Sequence, residues 1–160
     1  DTGWFAAPHY KGVESCYDKI EYHPDLGPTK QWDFSQYIPN VVVVAIGQND
    51  NHPVDYMAED YDSEKSENWR KHYQAFIEKL MELYPKAQII LATTILCHDK
   101  NWDRSIDEVC TRIGSERVHH FLYTKNGCGT PGHIRIPEAE QMSDELVAYI
   151  TSLGDEIWEL

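Results

Sequence analysis

Long hydrophobic runs are missing from this sequence. No apolar stretch approaches the roughly 20 residues that cross a bilayer, and no signal peptide opens the chain. Membrane association is therefore not expected. Basic residues are also scarce, with 14 Lys and Arg against 27 Asp and Glu and a formal net charge of -13. A surface that acidic repels phosphate backbones, which sets nucleic acid aside as a partner. Neither G-x-G-x-x-G nor a P-loop occurs, so nothing supports a nucleotide cofactor. The four cysteines, Cys16, Cys97, Cys110 and Cys128, include no C-x-x-C pair, which argues against a zinc ribbon. Four cysteines allow one or two disulfides or four buried thiols. Cys97, Cys110 and Cys128 each fall near an element end, where a bridge could tie loops together.

What is present is the composition of one globular domain. The 160 residues are 41% hydrophobic and 26% charged, enough for a sizeable core. The most informative stretch is Val41-Val42-Val43-Val44-Ala45-Ile46-Gly47-Gln48-Asn49-Asp50. Six apolar residues, four of them valine, suit a strand buried on both faces, as in a parallel sheet. Such a strand delivers Gln48, Asn49 and Asp50 to its carboxyl end, where open α/β sheets place ligands.

Residues 1–40 read as an aromatic-rich, loop-dominated segment broken by Pro8, Gly12, Pro24, Gly27, Pro28 and Pro39. Residues 41–160 read as an α/β core of the same domain. In it, strand 41–46 leads to an acidic loop over 47–63. A helix over about 64–84 carries Trp69, Tyr73, Phe76, Ile77, Leu80 and Tyr84 on one stripe, and Pro85 stops it. Residues 88–93 form the next strand. A loop with His98, Asp99 and Trp102 leads to a helix near 104–114, which Gly114 is placed to end. A third strand spans 118–123, and a last helix runs over about 137–153 with Met142, Leu146, Tyr149, Ile150 and Leu153 inward. The alternation predicts right-handed βαβ units, and so an α/β fold with a parallel sheet between helix layers.

In a parallel sheet, loops at the carboxyl ends of strands converge on one edge. Asn49 and His133, far apart in sequence, are therefore expected to approach each other. Gly47-Gln48-Asn49-Asp50 also matches the G-x-N-D block of the SGNH (GDSL-like) hydrolases. Thr130-Pro131-Gly132-His133-Ile134, with Met142 nine residues beyond the histidine, resembles their histidine block. Trp32-Asp33-Phe34-Ser35 adds to the likeness. Over roughly residues 30–153 the chain resembles this superfamily, and within it the carbohydrate esterases of family two.

The resemblance implies a three-layer α/β/α sandwich with a central parallel sheet in flavodoxin-like order. It implies a secreted serine ester hydrolase that removes acetyl groups from plant-wall polysaccharides or oligosaccharides, without metal or cofactor. His133 would be the general base. Asn49 would donate to the oxyanion, and Gly12 would complete that hole through its backbone N–H. Gln48, Asp50 and Trp102 would face the substrate.

The sequence departs from the pattern twice. The G-D-S-x nucleophile block is missing, and none of the eleven residues before Gly12 is a serine. Ser15 has no strand–turn–helix elbow before it. The position three residues before His133, an acid in the family, is Thr130. Asp1 opens the chain in place of Met, as in a mature product, an excised domain or a fragment, and a missing N-terminal segment or companion domain fits that. The alternative to an esterase is a non-catalytic carbohydrate-binding module, or an inactive or truncated remnant of the fold.

Plainer readings stand beside the sharper ones. Asn49 and Asp50 suit a simple turn or cap, and His133 an ordinary loop. Trp102 stacks on a sugar or is partly buried in the core. Asn51-His52-Pro53 with Asp55 and Asp60 reads as a solvated acidic loop rather than a metal cluster. At most one of His119 and His120 is expected to face the core.

Overall fold

The computed structural model describes residues 12–23, 27–28, 30–93 and 95–159. The chain forms two compact units. One comprises the described part of Asp1–Ile38 together with Asn49–Asp55, the other Pro39–Gln48 with the described part of Tyr56–Leu160.

The first unit is held by short-range backbone bonds. Strands β1 (Tyr22–His23) and β2 (Gly27–Pro28) pair antiparallel, and the ribbon continues through bonds from Ile20 N to Lys30 O (2.9 Å) and Trp32 N to Asp18 O (2.7 Å). The Asp18 carboxylate accepts from Lys19 at 2.6 Å and from Gln31 at 2.9 Å, fastening both sides of the ribbon. Asp33 caps a 3-10 turn at Phe34–Gln36 by accepting from Ser35 N. A segment expected to be loop therefore contains a small ribbon, too short to leave a period-2 pattern in the sequence.

The second unit is built on a three-stranded parallel sheet, β3 (Val41–Val44), β4 (Gln88–Ala92) and β5 (Val118–Phe121), in that spatial order. The register pairs Val41 with Gln88 and Ile89 with Val118. Between β3 and β4 lie α1 (Tyr56–Glu59) and α2 (Glu64–Leu83). Helix α3 (Lys100–Ile113) joins β4 to β5, and α4 (Ile136–Ser152) follows.

The strands alternate side chains between two helix layers. On β5, His120 meets Asp107 of α3 at 3.2 Å. Its neighbour Phe121 packs on Tyr149 of α4, with ring centroids 4.9 Å apart, and His119 lies against the same ring. Helices on opposite faces of one parallel sheet make a three-layer α/β/α sandwich, as expected. Both strand histidines are half-buried, one against each layer. The expectation that at most one faces a core is corrected, since successive side chains on β5 point to opposite helix layers.

Strand β4 is the centre, with Ile89, Ile90 and Leu91 fully buried. Strand β3 is not buried on both faces, contrary to the reading of its valines. It stands at the sheet edge among the described residues, Val43 is 40% exposed, and only Val44 is buried. A β-branched run reports strand propensity, not how many neighbours the strand has.

The helices follow their sequence signals closely. Ser63 caps α2 by accepting from Ser66 N, and Tyr73, Ile77, Leu80 and Tyr84 are buried from the expected stripe. Gly114 ends α3 in the left-handed conformation. On α4 only Met142 of the expected stripe is fully buried, and Leu146, Tyr149, Ile150 and Leu153 are half-buried.

Two elements differ from expectation. The acidic loop contains α1, because Tyr56, Met57 and Tyr61 turn into a cluster with Trp102 and Trp69. Helix α3 begins four residues earlier than expected, because the Asp99 side chain accepts from Asn101 N at 2.8 Å and caps it. A buried arginine ties this layer together. Arg70 is 3% exposed, bonds to Glu67 (3.0 Å) and to the Tyr61 carbonyl (3.1 Å), and lies over the Tyr61 ring. Arg112 of α3 grips Glu67 of α2 through two bonds, 2.9 and 2.8 Å. That grip holds the Glu67 carboxyl at about 2.

Candidate functional site

The carboxyl ends of the three parallel strands carry the chemistry-bearing loops. After β3, Gly47 has φ 112°, a conformation that glycine reaches without steric cost. It lets the chain leave the strand sharply. Gln48 folds back, its side-chain amide donating to Ala45 O at 3.1 Å. That bond uses the amide to close its own loop. Asn49 and Asp50 follow in a turn of the first unit, closed by His52 N donating to Asn49 O at 3.3 Å. Asn49 is exposed and Asp50 half-buried. Gly12 belongs to that unit too and precedes the 3-10 turn Val13–Ser15. Its carbonyl accepts from Ser15 N at 3.0 Å.

The loops after β4 and β5 form one bonded platform in the second unit. Gly127 N donates to Ile95 O and Cys97 N to Gly132 O, both at 3.0 Å. Beneath them, the side-chain amide of Asn126 donates to the hydroxyl of the fully buried Thr93 at 3.1 Å. The carbonyl oxygen of that amide is buried without a partner among the described residues.

His133 stands on this platform. Gly132, at φ 90°, makes the turn, and the His133 carbonyl accepts from Gly129 N and Thr130 N, each at 2.8 Å. The backbone is thus fixed, while the residue is exposed. The ring carries no hydrogen bond to any described residue. Among the described residues no serine hydroxyl and no carboxylate engages it, and Thr130 meets only its backbone N–H and carbonyl.

A different histidine on the platform has what His133 lacks. His98 Nε2 lies 2.7 Å from Asp103 Oδ1, and its Nδ1 lies 2.6 Å from the Leu96 carbonyl. Two acceptors on one ring call for protons on both nitrogens. The hydrogen bond to the Asp103 carboxylate is the main cause that raises the pKa of His98 above its ordinary value, against the opposing effect of burial. With both ring nitrogens engaged and the side chain 8% exposed, His98 is held in place by its surroundings. The sequence did carry a signal for it, since five residues separate His98 and Asp103 across a helix start capped by Asp99.

Trp102 is corrected from a surface to a core residue. It lies in the first turn of α3, 3% exposed, edge-on to Tyr56 (5.6 Å between centroids) and to Trp69 (5.2 Å). A ring this buried leaves no face for a sugar to stack on. The sequence reading placed it in a loop because it began α3 too late. Of the six proposed site residues, Gln48, Trp102 and His133 thus lie in the α/β unit, and Gly12, Asn49 and Asp50 in the other. Among the described residues no three His, Cys, Asp or Glu side chains gather to hold a metal ion, and no helix is long and apolar enough to cross a membrane.

A parallel sheet between helix layers, with an exposed imidazole at the carboxyl edge, defines an open α/β protein, a class that places its ligands at that edge. Solved structures narrow the class, and the fold is that of the family two carbohydrate esterases. A carbohydrate esterase family 2 enzyme plus carbohydrate binding domain from Corynascus thermopiles (Myceliophthora fergusii) matches 92% of this chain with a TM-score of 0.72 and 15% identity. The acetyl xylan esterase Est2A from the rumen bacterium Butyrivibrio proteoclasticus matches 88% with a TM-score of 0.64 and 21% identity. A family two carbohydrate esterase from Clostridium thermocellum, in complex with cellohexaose, matches 85% with a TM-score of 0.63 and 24% identity. The present chain spans less than half of each, 46%, 45% and 42% respectively. No family model and no curated protein matches the sequence.

Proposed function

We propose that this chain is part of a serine ester hydrolase that removes acetyl groups from plant-wall polysaccharides or oligosaccharides outside the cell. The observation that carries the proposal is the exposed, unengaged His133 ring at the carboxyl edge of an esterase-like fold. In this reading His133 takes the proton of a serine hydroxyl as the serine attacks the acetyl carbonyl, then gives it to the leaving sugar hydroxyl. Water, deprotonated by the same ring, releases acetate. Asn49 donates its side-chain N–H to the tetrahedral oxyanion, helped by the Gly12 backbone. The serine is supplied by polypeptide outside these 160 residues. The fit to structures about twice as long supports that assignment, as does the position of β3 at the sheet edge among the described residues.

One observation favours a second reading. No described serine reaches His133, so the chain as it stands would bind glycan without turning over ester. A glycan binding titration paired with a p-nitrophenyl acetate assay separates the two. Turnover that a serine-directed reagent blocks supports the esterase, and mass mapping of the label names the nucleophile. Binding of soluble glycan without turnover, in the longest form of the polypeptide, supports the binding module and overturns the esterase.

A further inference from the structure

Two exposed thiols flank one loop contact on the platform. Cys97 follows β4 and Cys128 follows β5, and both are free and exposed. The β5 loop meets the backbone of Cys97 at two points. Its N–H donates to Gly132 O at 3.0 Å. A Cβ added to Gly127 would fall 2.4 Å from Cys97 N and 2.6 Å from its Cα and Cβ. Only glycine allows that approach. Cys128 is the next residue, one Cα step of about 3.8 Å from Gly127, and it lies between those two points along the chain. The close Gly127 contact and one Cα step together keep the Cys97 and Cys128 Cα atoms within about 8 Å of each other, and disulfides span about 4–7 Å between Cα atoms.

The other thiols are differently placed. Cys110 donates to Val118 O at 3.3 Å, at the amino end of β5. Cys16 donates to Gly12 O at 3.5 Å within the first unit. The Cys128 thiol now donates to Asn126 O at 3.1 Å, and rotation about one side-chain bond frees it.

We propose that Cys97 and Cys128 form a disulfide under oxidising conditions and so fasten the β4 loop to the loop that carries His133. The oxidant is a low-molecular-weight disulfide such as oxidised glutathione. One protein thiolate attacks its S–S bond, forming a mixed disulfide and expelling one glutathione thiolate, which takes up a proton. The second protein thiolate then attacks the protein-borne sulfur. The internal S–S bond forms, the second glutathione leaves, and two thiols of the protein have become one bridge.

The test uses the folded full chain and oxidised glutathione, without denaturant, followed by intact mass and peptide mapping. The expected product weighs two hydrogen atoms less than the reduced chain, yields one cross-linked peptide pair containing Cys97 and Cys128, and reverts with dithiothreitol. Cys97→Ser and Cys128→Ser each stop at a glutathione adduct on the remaining thiol. Cys16→Ser and Cys110→Ser each retain the bridge. Should a variant misfold, the map of the unaltered chain decides alone. Stable glutathione adducts on both loops, a bridge to Cys16 or Cys110, or linkage only between chains would overturn the proposal.

Discussion

Two histidines at the carboxyl edge of the sheet have opposite surroundings. His98, after β4, has an acceptor on each ring nitrogen and a buried side chain. His133, after β5, is fixed only through its backbone and keeps its ring exposed. Their loops are bonded through Cys97 and Gly132. The difference separates a histidine that holds the site together from one left available for chemistry. A His–Asp pair in an esterase fold invites the opposite assignment. The geometry favours His133 instead, because both His98 nitrogens already face acceptors within the platform and its side chain is buried.

The largest effect expected from this contrast is on catalysis. In the form of the polypeptide that hydrolyses p-nitrophenyl acetate, His133→Ala should lower kcat by about 10²–10⁴-fold. Its unfolding free energy should stay within about 0.5 kcal/mol, as for exposed positions generally. Full activity in that variant would remove His133 from the chemistry. Trp102→Ala tests whether the start of α3 belongs to the core. A loss of about 3–5 kcal/mol in urea unfolding is expected, and a small loss accompanied by weaker glycan binding would return Trp102 to a surface role.

Asn49→Ala should reduce kcat by about 10²–10³-fold with little change in KM, the signature of a lost oxyanion donor. A change confined to KM would make it a binding residue. The smallest effect concerns His98. Its folded pKa is raised above 6.5, so its contribution is fully present below that value and is lost as pH climbs through the folded pKa. The urea midpoint should therefore fall as the pH rises above 6.5. Asp103→Asn, which removes the nearest charge while Asp99 remains, should flatten that slope. An unchanged slope would mean that the pair is not ionised in the folded protein.

Much of the scaffold was legible because its signals are local. The Val41 run, the α2 stripe, Pro85, Gly114 and Pro137 each act within one element, and together they gave the strand–helix alternation. The G-x-N-D stretch and the His133 block pointed to the right fold for the same reason. His98 was visible only as a loop histidine, since the acceptor on its Nε2 arrives with a helix whose start was placed too late. Trp102 was misplaced by that same error, and α1 was hidden by the acidic residues around Tyr56 and Met57.

The sequence alone determined the order and kind of the main elements, through side-chain periodicity and backbone stops that depend on neighbours a few residues away. Tertiary structure alone decided that β3 is an edge strand, that Trp102 is enclosed by Tyr56 and Trp69, that His98 is held and His133 free, and that Gly127 presses on Cys97. Each of these depends on groups brought together from distant positions. Burial, hydrogen-bond satisfaction and ionisation are set by what surrounds a side chain in space, and periodicity along one element does not encode it.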